Sequence, residues 1–265
     1  MRKIVYFRVL GALAVETDEG LSRTPQALKL RALLALLCLN DGRPLSAPQL
    51  IDALWSGAPP RTASTALQVY VSRLRKHLAD AGFDGAGLLT RPPGYMMELA
   101  PLTLDLHNFE SLCLRAGELR TAGRLEEASR LLSQALGLWA GPALADLRTV
   151  PALQSLGHQL DEKRSAALEE RAETELLLGR HKLLIGELYG LIDEQPMHET
   201  FHGLLMLALY RSGRPAEALM IYNRIRRVLI DELGIEPGPR LRQLQQSILE
   251  RDAVLEDRTL AHLAC

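Results

Sequence analysis

Two stretches of this chain carry residue types at a spacing that could do chemistry. The first, His198-Glu199-Thr200-Phe201-His202, spells H-E-x-x-H. On a helix the two histidines would share a face and could hold Zn²⁺, with the glutamate as base. Yet no third-ligand pattern follows: His202 is succeeded by GLLMLAL. The segment also sits at the start of a helix, where Glu199 suits the macrodipole, and the metal reading is rejected. The second stretch is RTASTALQVYVSRLRKHL, Arg61 to Leu78. On a 3.6-residue period Ala63, Leu67, Tyr70, Val71, Leu74 and Leu78 share one face. The opposite face presents Arg61, Thr65, Gln68, Val69, Ser72, Arg73 and Lys76, and no acid lies between Asp52 and Asp80. A helix fits the DNA major groove, and Arg, Gln, Ser and Thr can hydrogen-bond base edges. A solvated surface helix with an ordinary basic face would look the same, so the neighbouring elements must decide.

Those elements come in a telling order. Residues 3–9 (KIVYFRV) and Leu13–Glu16 predict a small antiparallel sheet, with a turn at Asp18-Glu19-Gly20. A helix is expected from Gln26 to Asn40, stopped by Asp41-Gly42. Ser46 then caps a second helix, with Pro48 in its first turn and Leu50, Ile51, Leu54 and Trp55 on its apolar face. Ser56-Gly57 and Pro59-Pro60 end it. The donor-rich helix follows, then a glycine-rich connection from Gly82 to Gly87. LLTRPPGYMMEL next predicts a hairpin: strands at Leu88–Thr90 and Tyr95–Leu99, with a turn at Pro93-Gly94. Sheet, helix, helix, turn, basic helix and hairpin are the parts of a winged helix–turn–helix. Its third helix enters the major groove and its wing reaches the flanking phosphates. Arg61, Thr65, Gln68, Val69 and Ser72 are the base-edge candidates, Val69 for a thymine methyl. Arg75 and Lys76 are placed at phosphates or in solvent. Arg73 lies at the edge of the groove face, and His77 points toward the apolar side. Arg91 and Tyr95 sit where a wing would offer them.

The same residues resemble a known family. FRVLGALAV, KLRALLALL, LSAPQLIDALW, LQVYVSRLRKHL and PPGY resemble the DNA-binding domain of OmpR-type response regulators and, more closely, the Streptomyces antibiotic regulatory protein family. Met96-Met97 departs from the pattern, where an arginine or a polar residue is frequent. The resemblance implies an activator that binds direct repeats of double-stranded DNA and contacts RNA polymerase, including its sigma factor. It also implies that Trp55 donates its indole N–H to a phosphate, beside the plain reading that Trp55 closes the core. The genes implied are those of an antibiotic or other secondary-metabolite cluster.

From about Leu104 the chain becomes helix after helix. Turns carry the same pair, Gly123-Arg124, Gly179-Arg180 and Gly213-Arg214, the last two 34 residues apart, which is the tetratricopeptide period. Ala128 and Ala218 each fall five residues after their turn glycine, as small contacts for close packing. The first spacing is 56 residues, so an insertion is expected around LWAGPALADLRTVPALQSL. By the family resemblance this half is the bacterial transcriptional activator domain, matched at ALGLWAGPALADL, LALYRSGRPAEAL and RVLIDELGIEPGPRL. Glu169, Glu170, Glu173 and Glu175 read as a solvated acidic face, or as a docking surface for polymerase or a second protomer.

Composition bounds the rest. Net charge is −1, but residues 1–100 hold 12 Lys+Arg against 8 Asp+Glu, and the remainder 19 against 24. A basic module joined to a mildly acidic one is expected. Cys38 and Cys113 lie among leucines, and no CxxC pair occurs, which fits a reducing compartment. The longest apolar run, Ala32 to Leu39, is far short of a membrane span. The N-terminus makes a poor signal peptide. A cytoplasmic protein with no membrane partner is expected. No phosphate-binding or nucleophile-elbow pattern occurs, so neither enzyme nor cofactor is expected. With no receiver module ahead of the sheet, aspartate phosphorylation is not the expected switch. The expected fold is mainly α. Residues 1–100 form an α+β winged helix–turn–helix, 101–255 an all-α tetratricopeptide-like domain, and 256–265 a tail. A second protomer is expected beside the first on DNA. The rival reading is a helical-repeat scaffold whose winged domain binds protein; the acid-free basic stretch argues against it.

Overall fold

The computed structural model describes residues 4–20, 22–83, 87–252 and 255. Part of the glycine-rich connection, 84–86, and the expected tail from 256 lie outside the described residues. The fold is mainly helical, with its strands confined to the first hundred residues. By packing, the chain falls into two compact units: residues up to 112 with 134–164, and 113–133 with the residues from 165 onward. That division does not fall at residue 100.

The first unit opens with strands β1 (Val5–Arg8) and β2 (Ala14–Thr17), paired antiparallel from Val5–Thr17 to Arg8–Ala14. Val5, Phe7 and Val15 point inward, as a period of two dictates. Helix α1 (Leu28–Leu39) buries every residue from Ala32 to Cys38. A helix apolar on all sides must be covered on all sides, and α1 is the centre of this core. Helix α2 spans Ala47–Trp55 behind a capping box: the Gln49 backbone N–H donates to Ser46 Oγ, and Gln49 Oε1 accepts from the Ser46 N–H at 2.9 Å. Helix α3 (Ala63–Asp80) packs against both α1 and α2.

The hairpin differs in detail from expectation. Strands β4 (Leu88–Arg91) and β5 (Gly94–Met97) meet through a turn at Pro92-Pro93, with Gly94 already paired. A third strand, β3 (Leu45–Ser46), pairs with β5 through Leu45–Tyr95 and Ser46–Gly94. Two residues show no periodicity, so the sequence carries no signal for this strand. Gly94 is required there: a Cβ would collide with the Leu45 carbonyl. Met97, where the family pattern is broken, is fully buried with its sulfur 3.9 Å from Cys38 Sγ.

Helices α4 (Asp105–Thr121), α5 (Leu125–Leu136) and α6 (Pro151–Leu177) contribute to both units. The expected insertion between α5 and α6 proves to be a strap across the first sheet. Ala140, Leu144 and Ala145 N–H groups donate to the Leu10, Val9 and Gly11 carbonyls. Asp146 accepts from the Leu13 N–H at 2.7 Å and pairs with Arg31 of α1. At the start of α4, Asp105 accepts from Val9 and Leu10 N–H groups at 3.0 and 3.1 Å. The strap's own Ala143, Leu144 and Leu147 are completely buried.

In the second unit, α7 (His181–Glu194), α8 (Glu199–Arg211) and α9 (Pro215–Leu233) pack in succession, and α10 (Pro239–Glu250) rests on α8 and α9. Helix α8 is its centre, buried at every residue from Phe201 to Leu209. The three Gly-Arg turns share one geometry. Gly123, Gly179 and Gly213 have φ of 74°, 75° and 76°. The following arginine N–H donates back to Leu119, Glu175 or Leu209 at 2.8–3.0 Å. This is the Schellman closure, which needs a left-handed residue. Ala128 and Ala218 are fully buried behind their turns. No described helix is long and apolar enough to cross a membrane.

Candidate nucleic-acid interface

Helix α3 is fixed by its buried face. Ala63, Leu67, Val71, Leu74 and Leu78 are each at most 5% exposed, with Tyr70 half-buried beside them. Burying one leucine or valine stabilises by about 1.5–3 kcal/mol, so the helix has no freedom to rotate about its axis. The opposite face is thereby presented outward. Thr65, Gln68, Val69, Ser72, Arg73 and Lys76 are all exposed, and Arg61 is exposed in the turn before the helix. Val69 stands 42% exposed among donors. Thr62 extends this face. It is the exposed N-cap residue, yet its side chain makes no capping bond. The same 3.6 period would have found it.

One residue is placed differently from expectation. Arg75 is turned to the hairpin: its Nε donates to the Leu88 carbonyl and its terminal nitrogen to Thr90 Oγ1, both at 2.9 Å. It holds the wing to α3 and is not projected toward a phosphate. His77 donates from Nε2 to the Arg23 carbonyl at 2.6 Å, a structural role as expected. Trp55 is half-buried and stacks on Tyr70, with ring centroids 6.1 Å apart and an 18° interplanar angle. The Lys29 ammonium lies 5.3 Å over its ring and also donates to the Leu54 carbonyl. Trp55 therefore closes the seam between α2 and α3. Arg91 is exposed at the wing tip, and Tyr95 is half-buried behind it.

The H-E-x-x-H stretch does not form a two-histidine helix face. His198 is the N-cap of α8, outside the helix, and stacks on Phe201 at 4.1 Å. His202 is 1% exposed and bonds the His198 carbonyl through Nδ1 at 3.1 Å. Burial pushes the His202 imidazole pKa down. The four acids of α6 form neither a solvated face nor a docking surface. Glu173 and Glu170 flank Arg120, Glu175 bonds Ser129 and lies 3.5 Å from Arg180, and Glu169 lies 3.3 Å from His198. They are internal partners of the second unit, invisible in the sequence because the other half of each pair comes from α4, α5 or the turns that open α7 and α8.

Two family models match the chain: "Transcriptional regulatory protein, C terminal" over residues 18–97 and "Bacterial transcriptional activator domain" over residues 104–249. The regulatory protein DnrI of Streptomyces peucetius is 38% identical over 250 residues, 92% of each chain. The regulatory protein AfsR of Streptomyces coelicolor is 42% identical over 256 residues, of which this chain spans only 25%. Among solved structures, Mycobacterium tuberculosis EmbR in complex with a low affinity phosphopeptide matches with a TM-score of 0.90 and 39% identity. The match covers 98% of this chain and 69% of the EmbR chain.

Proposed function

The chain belongs to the Streptomyces antibiotic regulatory protein family, and from that premise we propose that it is a sequence-specific DNA-binding activator of transcription. Membership makes it a transcriptional regulator and not an enzyme. The finer reading rests on one observation: the outward face of α3 is a set of donors around Val69 without an acid, locked in phase by the core beneath it. Thr65, Gln68, Val69 and Ser72, with Arg61 at the entry, read base edges, while Lys76 and Arg91 contact phosphates. Residues 1–100 supply this surface and 101–255 the protein contacts. The operator is a direct repeat with half-sites about one helical turn (roughly 10–10.5 bp) apart, seating two protomers head-to-tail on one face of the duplex. Bound there, the protein recruits RNA polymerase, including its sigma factor, to an antibiotic or other secondary-metabolite cluster. A regulator of this kind works in the cytoplasm.

The test is fluorescence anisotropy with a labelled duplex from upstream of the neighbouring genes, against a scrambled duplex, across a salt series. Specific binding should exceed non-specific binding by about 10³-fold or more. Equal, salt-sensitive binding to both would reduce the surface to a generic basic patch. No binding at low salt would transfer the weight to a protein-binding scaffold.

A further inference from the structure

The turn that follows α1 opens onto a cleft of about 360 Å³ inside the first unit. Its floor is Leu39, Leu106, Leu156 and Leu160, contributed by α1, α4 and α6. Its rim is charged, and most of that charge is already matched. Glu110 is paired with Lys163. Asp41 accepts from the Leu99 N–H at 2.8 Å with one oxygen and faces His107 Nδ1 at 3.9 Å with the other. Arg43 differs. Its guanidinium is exposed at the mouth, and no carboxylate of the described residues lies within ion-pairing distance. The cleft thus offers the half-buried Leu39 and Leu156, backed by buried Leu106 and Leu160, beside one uncommitted cation.

The walls are set before anything enters. The Gly42 N–H donates to the Met97 carbonyl at 2.8 Å and the Arg43 N–H to the Asn40 carbonyl at 2.9 Å. The turn is therefore tied to β5 and to its own helix. Pre-set walls lower the ordering cost of binding. The volume falls within the range of about 300–1,000 Å³ usual for small-molecule sites. A DNA phosphate would satisfy Arg43 but make no use of the half-buried Leu39 and Leu156.

We propose that this cleft binds a small amphipathic anion, its carboxylate or sulfonate paired with Arg43 and its apolar ring or chain laid on Leu39 and Leu156. The probe is 8-anilinonaphthalene-1-sulfonate, titrated by fluorescence into the full chain beside its neutral analogue N-phenyl-1-naphthylamine. One saturable site is expected for the sulfonate. Arg43→Gln should weaken it by about tenfold or more, the loss expected when a hydrogen bond to a charged group is removed. Gln159→Trp, from an exposed position on the lining, should obstruct the mouth and weaken it likewise. Both variants should keep the wild-type far-UV circular dichroism and melting temperature. Absent saturable binding, or binding that neither variant changes, would overturn the site. Neutral-analogue binding as tight as the sulfonate, lost in Gln159→Trp and retained in Arg43→Gln, would overturn the anionic class.

Discussion

Gln68 and Lys76 project from the same face of α3, yet different outcomes are expected from removing each. A side-chain amide can read a base edge, whereas an ammonium contacts phosphate as a point charge. Gln68→Ala should cost about 1–3 kcal/mol on the cognate duplex and relax preference at one base pair. Lys76→Ala should weaken all duplexes alike and reduce the salt slope by about one. Anisotropy on cognate and scrambled duplexes separates them; identical sequence-blind losses would reject the assignment of base readers. Asp105 is the other telling residue. Burial raises its carboxyl above the ordinary aspartate range, although Val9, Leu10 and Leu106 N–H groups all donate to it. A folded pKa above the unfolded one means that the native chain binds the extra proton between the two values. Stability from this group therefore rises as pH falls through the folded pKa, and levels off below the unfolded value of about 3.9. Wild type should gain on Asp105→Asn across that window in urea unfolding at stepped pH. A difference between the two that stays flat with pH would show the carboxyl to be unperturbed.

Among the elements, the wing shows how position is transmitted. Strand β4 hangs from α3 by the two bonds of Arg75, and β5 is seated on β3 only because Gly94 lacks a side chain. Arg75→Ala should destabilise the protein by about 1–3 kcal/mol, since its bonds involve a charged donor on a half-buried side chain. It should also weaken every duplex while leaving the salt slope near the wild-type value, unlike Lys76→Ala. A slope reduced by about one would return Arg75 to the phosphates. The repeat turns make the same point for the second unit. Each Schellman closure sets where the next helix begins, and Ala128 and Ala218 accept it at close range.

For the whole molecule, the first unit is not the first hundred residues. A chain cut after residue 100 would lose Asp105, Asp146 and the strap, and with them the partners of Val9, Leu10 and Leu13 N–H groups. Such a fragment should melt broadly and below the intact chain by circular dichroism, with weakened duplex binding. A sharp transition at the intact chain's temperature would show that the strap is dispensable. The head-to-tail reading makes a second prediction at this scale. Inserting about 5 bp, half a helical turn, between the repeats should abolish cooperative binding, and inserting about 10 bp should restore much of it. Cooperativity indifferent to the insertion would mean that the protomers do not touch on DNA.

The sequence by itself determined the order of elements, the helix–turn–helix and which face of α3 looks outward. Each of these is written in short-range terms: a 3.6-residue repeat of apolar side chains, Ser46 three residues before Gln49, a glycine after each repeat helix. It left four other matters to the tertiary structure: where Arg75 points, what the α6 acids hold, what the segment around Asp146 covers, and that Arg43 shares a cleft with Leu39 and Leu156. Those depend on partners in other elements, 13 and 15 residues away for Arg75, 53 for Glu173 and Arg120, and 133 for Asp146 and Leu13. A buried carboxylate takes whichever donors the packed backbone brings to it. That pairing becomes definite only when the helices that carry both ends have docked.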